Sequence, residues 1–257
     1  MRRHPRSIVR GSARRCGFTI VELLVVVGII AILTGILLVG LKVVGGTARA
    51  SACMSNLREL SIAHASYANL HHECFADVGL PHGGIGDPSR SFITTLEPFG
   101  MSIEVLRSPL DRSAHWSPEH GEGAPVSIVD GQPLFRRTSY GMNNHLSRSY
   151  SPAMATGGAP ADRFSRVARP SEVICFGLMA ERGAYASSDH PHAENWGAVS
   201  NPALLAATQL QINAIDRHDP SGDSRSNWSW VDGHTTSNRF DELFTTSIDN
   251  KFDPGQP

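Results

Sequence analysis

Gly17-Phe18-Thr19-Ile20-Val21-Glu22-Leu23-Leu24-Val25-Val26-Val27-Gly28-Ile29-Ile30-Ala31-Ile32-Leu33 is the stretch that decides how the chain is read. No charged residue stands between Leu23 and Leu41, an apolar run long enough for an α-helix to cross a hydrocarbon core of about 30 Å. Ahead of it, residues 1–17 carry six arginines (Arg2, Arg3, Arg6, Arg10, Arg14, Arg15) and no acid. Basic residues before the run and a nearly neutral stretch after it predict an N-terminus inside and a C-terminus outside. Glu22 breaks the pattern. An ionised carboxylate costs on the order of 2.5–3.5 kcal/mol near the bilayer centre, and even near the end of a span it calls for a partner.

Gly17-Phe18-Thr19-Ile20-Val21-Glu22, behind a basic leader and ahead of the apolar run, closely resembles the processing site of type IV prepilins and type II secretion pseudopilins. The resemblance implies a prepilin peptidase that cuts after Gly17 and methylates the new N-terminal Phe18. Glu22 then becomes the fifth mature residue, as in that family. Cleavage creates an α-amino group near Glu22, so in a packed assembly one subunit's carboxylate would neutralise its neighbour's amine. Implied partners are prepilin peptidase, other pilin-like subunits and the inner membrane. The implied location is a single pass through a bacterial inner membrane, with filaments at the surface or in the periplasm as an extension. An ordinary secretory signal has a core of about 7–15 apolar residues, shorter than this run, and the small-x-small site Ala48-Arg49-Ala50 lies well past it. A plain signal anchor fits the hydropathy but leaves Gly17-Phe18 and Glu22 unexplained. Gly28, Gly35 and Gly40 fit either close helix packing or ordinary glycine usage in membrane helices.

Beyond Lys42 the pattern becomes that of a water-facing amphipathic helix: Leu57, Leu60, His64, Tyr67 and Leu70 recur every three or four residues, with Arg49, Arg58 and Glu59 between them. One helix is expected from about Phe18 to about Leu70, bent near Gly45-Gly46 and about 80 Å long at 1.5 Å per residue. The implied divisions are a leader (1–17), a membrane helix (18–41), its amphipathic continuation (42–70) and a globular head outside the cytoplasm (71–257). Within the head, Ser91 to Phe99 suggests a short helix. Val173-Ile174-Cys175-Phe176-Gly177-Leu178 reads as a buried strand introduced by Pro170-Ser171. Stretches 112–133, 151–162 and 183–203 read as loops. Trp228-Ser229-Trp230-Val231 and His234-Thr235-Thr236-Ser237 flank Asp232-Gly233, which predicts a hairpin with a two-residue type I′ turn and both tryptophans on one face. The fold class is α+β: a long N-terminal helix packed on a small antiparallel sheet.

The head also resembles a bacterial prepilin-like subgroup whose C-terminal domain ends in His, a spacer and Asp-Gly. Here thirteen residues separate His218 from Asp232-Gly233, a longer spacer than that pattern has. Leu106-Arg107-Ser108-Pro109-Leu110-Asp111 resembles a Cys-Pro-Ser-Asp element without its Cys. Ser139-Tyr140-Gly141-Met142-Asn143 and Pro170-Ser171-Glu172-Val173 are also typical of the subgroup.

Without residues 1–17 the chain has 17 Lys and Arg against 24 Asp and Glu, a formal charge of −7, which argues against nucleic acid as a partner. Of the four cysteines, Cys16 falls in the leader and Cys53 on the helix, leaving Cys74 and Cys175 as the pair a disulfide would use outside the cytoplasm. Twelve histidines invite a metal reading. His71-His72-Glu73-Cys74, His190-Pro191-His192 and His218-Asp219 offer ligands, yet no regular paired spacing appears, so no metal or cofactor residue is assigned. Calcium at Asp219, Asp223 and Asp232 is an option that some type II secretion pseudopilins support. No nucleophile elbow, phosphate loop or dinucleotide fingerprint is present, and His218 with Asp232 lacks a nucleophile. The expectation is a structural protein without catalytic residues.

Overall fold

The computed structural model describes residues 18–82, 86–217 and 224–255, and of residues 38–43 the backbone alone. Gly17, His218, Asp219 and Asp223 therefore lie outside the described residues. The chain forms two compact units, Met1–Gly45 and Gly46–Pro257. A single helix, α1 (Ile20–Leu70), contributes its first half to one unit and its second half to the other. Gly45 and Gly46, where a bend is expected, are themselves helical.

In the first unit the described apolar side chains from Phe18 to Leu37 are exposed, and Ile20–Leu37 is long and apolar enough to cross a membrane. The second half of α1 has one buried stripe: Cys53, Leu57, Leu60, Ala63, His64 and Ala68. Tyr67 is half-buried and Leu70, expected on that stripe, is exposed. The helix stops just beyond the last buried turn. His72 and Glu73 both take positive φ, and the Glu73 amide donates back to the Ala68 carbonyl (2.8 Å), a closure that satisfies orphan carbonyls of the last turn. The reversed chain then sends Phe75, instead of Leu70, into the core.

Two strands, β1 (Ser127–Val129) and β2 (Gln132–Leu134), form a small outlying hairpin within a stretch expected to be loop. The central sheet is antiparallel, in the order β3 (Tyr140–Met142), β4 (Ile174–Leu178), β5 (Arg225–Trp230), β6 (Thr235–Arg239). A last pair, β7 (Phe244–Thr246) and β8 (Asp249–Asn250), follows. The expected buried strand is β4, and a short helix (Phe92–Thr95) with a 3₁₀ turn (Glu97–Phe99) occupies the expected helical stretch.

Each face of the sheet carries its own hydrophobic cluster. The stripe of α1 packs with Phe75, Phe92, Tyr140, Met142, Phe176 and Leu178. Trp228 and Trp230 share a face, as expected, but that face builds a second cluster with Trp196, Phe240, Phe244 and Phe252. An irregularity in the pairing between Ile174 and Phe176 breaks the alternation, which lets Cys175 and Phe176 both join the helix-side cluster. Gly177 lies under the Trp228 ring, where a Cβ would come within 2.6 Å of it.

The hairpin turns correct the expectation. β5 and β6 pair Ser229 with Thr235, and the Trp230 amide donates to the His234 carbonyl (3.0 Å). The connection is therefore the three residues Val231, Asp232 and Gly233. Only Gly233 has positive φ (89°), as in a type I turn closed by a left-handed residue. The two-residue turn with both φ positive occurs at Asp130 (49°) and Gly131 (76°), between β1 and β2.

The subgroup-like segments prove to be the joints of this core. Arg136 and Asp111 form an ion pair of 2.7 Å with both side chains 1% exposed. Arg136 also donates to the carbonyls of Met179, Ala180 and Ala186, and Ser139 donates to Asp111. Asn143 donates to the carbonyls of Ile174 and Phe252, tying β3 to β4 and to the C-terminal segment.

Candidate functional site

At the start of α1, Thr19 and Glu22 hold each other. The Thr19 amide (2.8 Å) and hydroxyl (2.7 Å) both donate to Glu22 Oε2, while the Glu22 amide donates to Thr19 Oγ1 (3.2 Å). This is a capping box, in which two orphan donors of a first helical turn are satisfied reciprocally. The Thr-x-x-Glu spacing that signals it is present in the sequence, but the acid was read there for its charge alone. Glu22 thus has a local role that needs no neighbouring subunit. Phe18 precedes the cap and is exposed.

The head places the other candidates variously. His71, His72 and Glu73 are exposed, His71 stacking on Tyr67 with ring centroids 4.1 Å apart. Cys74 alone of that group turns inward, where Arg148 donates to its Sγ (3.0 Å). Cys175 lies elsewhere, its Sγ 3.6 Å from His64 Nδ1. Cys53, Cys74 and Cys175 are all free, so Cys74 and Cys175, the pair the sequence left open for a disulfide, are not bridged. Asp232 accepts from the His234 amide and contacts its ring within the β5–β6 turn; the other two residues of the calcium set lie outside the described residues.

His64 is fully buried, and burial lowers its pKa to about 3. The Ala76 amide donates to its Nε2 (3.0 Å), so the neutral ring carries its proton on Nδ1, facing Cys175.

His190-Pro191-His192 meets a third residue, His82, that sequence reading did not single out. His82 Nε2 lies 3.3 Å from His190 Nε2 and 2.9 Å from His192 Nε2. Behind them, His190 Nδ1 is 2.9 Å from Asp189 Oδ1 and His192 Nδ1 is 2.9 Å from Glu194 Oε1. Asp189 is wholly buried and accepts as well from the amides of Gly79 and Leu80 and from the Ser91 hydroxyl. Asn144 donates to the second oxygen of Glu194 (2.7 Å). Burial raises the Glu194 pKa, but the hydrogen bonds from His192 and Asn144 outweigh it and hold the carboxyl below its ordinary value. Burial, above all, pushes His82 down to about 4. Tyr185 stacks on His82 at 4.7 Å. The signal available in the sequence was Asp-His-Pro-His-Ala-Glu, a His-x-His flanked by acids; the third histidine, from a loop more than a hundred residues earlier, carried no local mark.

Residues 12–38 match the prokaryotic N-terminal methylation motif. The chain carries a prepilin-type N-terminus. That motif supports a pilin-like protein processed by prepilin peptidase and, with the apolar helix behind it, points to membrane anchoring. The match includes Gly17, Phe18 and Glu22 and ends before the head. Neither a curated protein nor a solved structure matches the chain.

Proposed function

We propose that the chain is a structural, non-catalytic pilin or pseudopilin subunit, cut between Gly17 and Phe18 and methylated at Phe18. It passes the inner membrane once, with its N-terminus cytoplasmic and its head outside. It then assembles with other pilin-like subunits, through burial of the Phe18–Leu41 helix, into a pilus or a type II secretion pseudopilus. The observation that carries this reading is Glu22, an acid at the family's position in a run otherwise free of charge, which the amine freed by cleavage at Phe18 of a neighbour would neutralise.

The capping box favours a second reading, a membrane-tethered envelope protein that does not assemble and works through its head. Because Thr19 already satisfies the Glu22 carboxylate, the acid does not by itself demand a partner subunit. Two substitutions separate these readings. Glu22→Gln keeps an acceptor for Thr19 but loses the charge, whereas Glu22→Ala loses both. If the charge sets axial register, both variants insert and are cleaved normally but fail to crosslink through cysteines placed along the helix. Wild-type crosslinking in Glu22→Gln would remove the electrostatic role, and no helix crosslinks in the wild-type chain would leave the tethered protein. N-terminal sequencing of the mature chain, with and without prepilin peptidase, checks the cleaved bond.

A further inference from the structure

Two of the three clustered imidazoles have fixed proton positions. Asp189 and Glu194 can only accept, so the Nδ1 atoms of His190 and His192 carry protons and their Nε2 atoms present lone pairs. Both lone pairs face His82 Nε2, at 3.3 and 2.9 Å. A proton on His82 can lie along only one of these contacts; the other sets nitrogen against nitrogen. A cation at the centre removes the conflict.

We propose that His82, His190 and His192 bind a divalent first-row transition metal, Zn²⁺ foremost, through their Nε2 atoms. Asp189 and Glu194 orient two of the rings from behind, the carboxylate–histidine–metal arrangement that fixes tautomer and raises ligand basicity. A tetrahedral ion with Zn–N bonds of 2.0–2.1 Å sets its ligand nitrogens about 3.4 Å apart. The 3.3 Å contact already meets that spacing, and the three ligand atoms all lie within 4.8 Å of one another. Imidazole nitrogen is the donor that zinc, copper, nickel and iron favour over magnesium or calcium. Rigidity comes from Asp189, whose two oxygens receive four donors. Access comes from His82 and His192, which are half-buried while His190 is 1% exposed. Three protein ligands leave a coordination position open to water or another group. The site lies within the head and is independent of whether the chain assembles.

The test uses the full chain, purified in detergent without a polyhistidine tag and stripped with a chelator. Titration with Zn²⁺ or Co²⁺ is expected to saturate at one equivalent per chain. Co²⁺ should give a visible absorption band typical of nitrogen ligation, and the metal should raise the head's unfolding temperature. His82→Ala and His192→Ala should each abolish the saturable phase. Glu194→Gln, which removes a partner of His192 but no ligand atom, should weaken binding by about 10–100-fold in a chain that still folds, so the proposal stays testable if a histidine variant misfolds. No saturable binding by the folded wild-type chain would overturn it. So would equal affinity in a His82→Ala/His192→Ala double variant, which would assign the metal to other histidines.

Discussion

The first half of α1 and the head carry their information in opposite ways. Between Phe18 and Leu37 nearly every side chain is apolar and exposed, and what matters is linear: a junction, an acid a fixed number of residues later, and the length of the run. In the head the decisive contacts join distant positions, such as Asp111 with Arg136, Asn143 with Phe252, and His82 with His192. The same residue type therefore means different things in the two regions. A leucine in the first half contributes to transfer into lipid or into a helix bundle, whereas a leucine in the second half fills a defined space. The acid in the first half, Glu22, is held by Thr19 three residues away; in the head, the side chains of Asp111 and Asp189 are buried and partners reach them from distant segments.

The largest effect should come from breaking the head's buried ion pair. Arg136→Met strands the Asp111 charge and frees three carbonyls, and removing one partner of a buried pair typically costs about 3–5 kcal/mol. Urea unfolding of the head should show that loss, while membrane insertion and leader cleavage are unaffected. Adding Asp111→Asn, which removes the stranded charge yet still accepts from Ser139, should recover part of it. No recovery would place the cost in the freed carbonyls instead. Next in size is one substitution made in both regions. Leu60→Ala empties a fully buried position and should cost the head about 2–5 kcal/mol. Leu33→Ala, exposed in the single chain, should leave the head's unfolding within about 0.5 kcal/mol of wild type. Equal effects at the two sites would mean that the head does not fold independently of the apolar segment.

Legibility follows the same division. The apolar helix and the motif over residues 12–38 were readable because each depends on neighbours within a few residues. The buried stripe of α1 and strand β4 were readable because periodicity survives without tertiary knowledge. Leu70 was misread because nothing local distinguishes the last buried turn from the one after it; the positive φ at His72 and Glu73 ends the helix without the usual glycine. The two Asp-Gly pairs show how much context decides. At Asp130-Gly131 the pair makes the tight two-residue turn, whereas at Asp232-Gly233 the amides of Val231 and Asp232 donate to the carbonyls of Val173 and Pro170, and the connection takes an extra residue. The histidine site was half visible as His-Pro-His, but no spacing rule links it to His82.

Acid should separate the two regions once more, with a smaller effect. His64 sits in the helix-side core with its folded pKa lowered to about 3 by burial, against an ordinary value near 6.5. Between those values the unfolded chain binds a proton that the folded head refuses. Stability therefore rises with pH through this window and is lost as pH falls below about 6.5, with a limiting slope of about 1.4 kcal/mol per pH unit for one group. Protonation would also fill the Nε2 lone pair that accepts from the Ala76 amide. Burial lowers His82 and His145 as well, so the total slope exceeds the share of His64. That share is isolated by His64→Gln, whose side-chain oxygen can still accept from Ala76 but does not titrate. Going from pH 7 to 5.5, the wild-type head should lose about 1 kcal/mol more than the variant, read as the difference between their urea midpoints at the two values. Parallel pH profiles would mean that His64 takes up its proton in the folded head, and that the buried stripe of α1 is open to water at that turn.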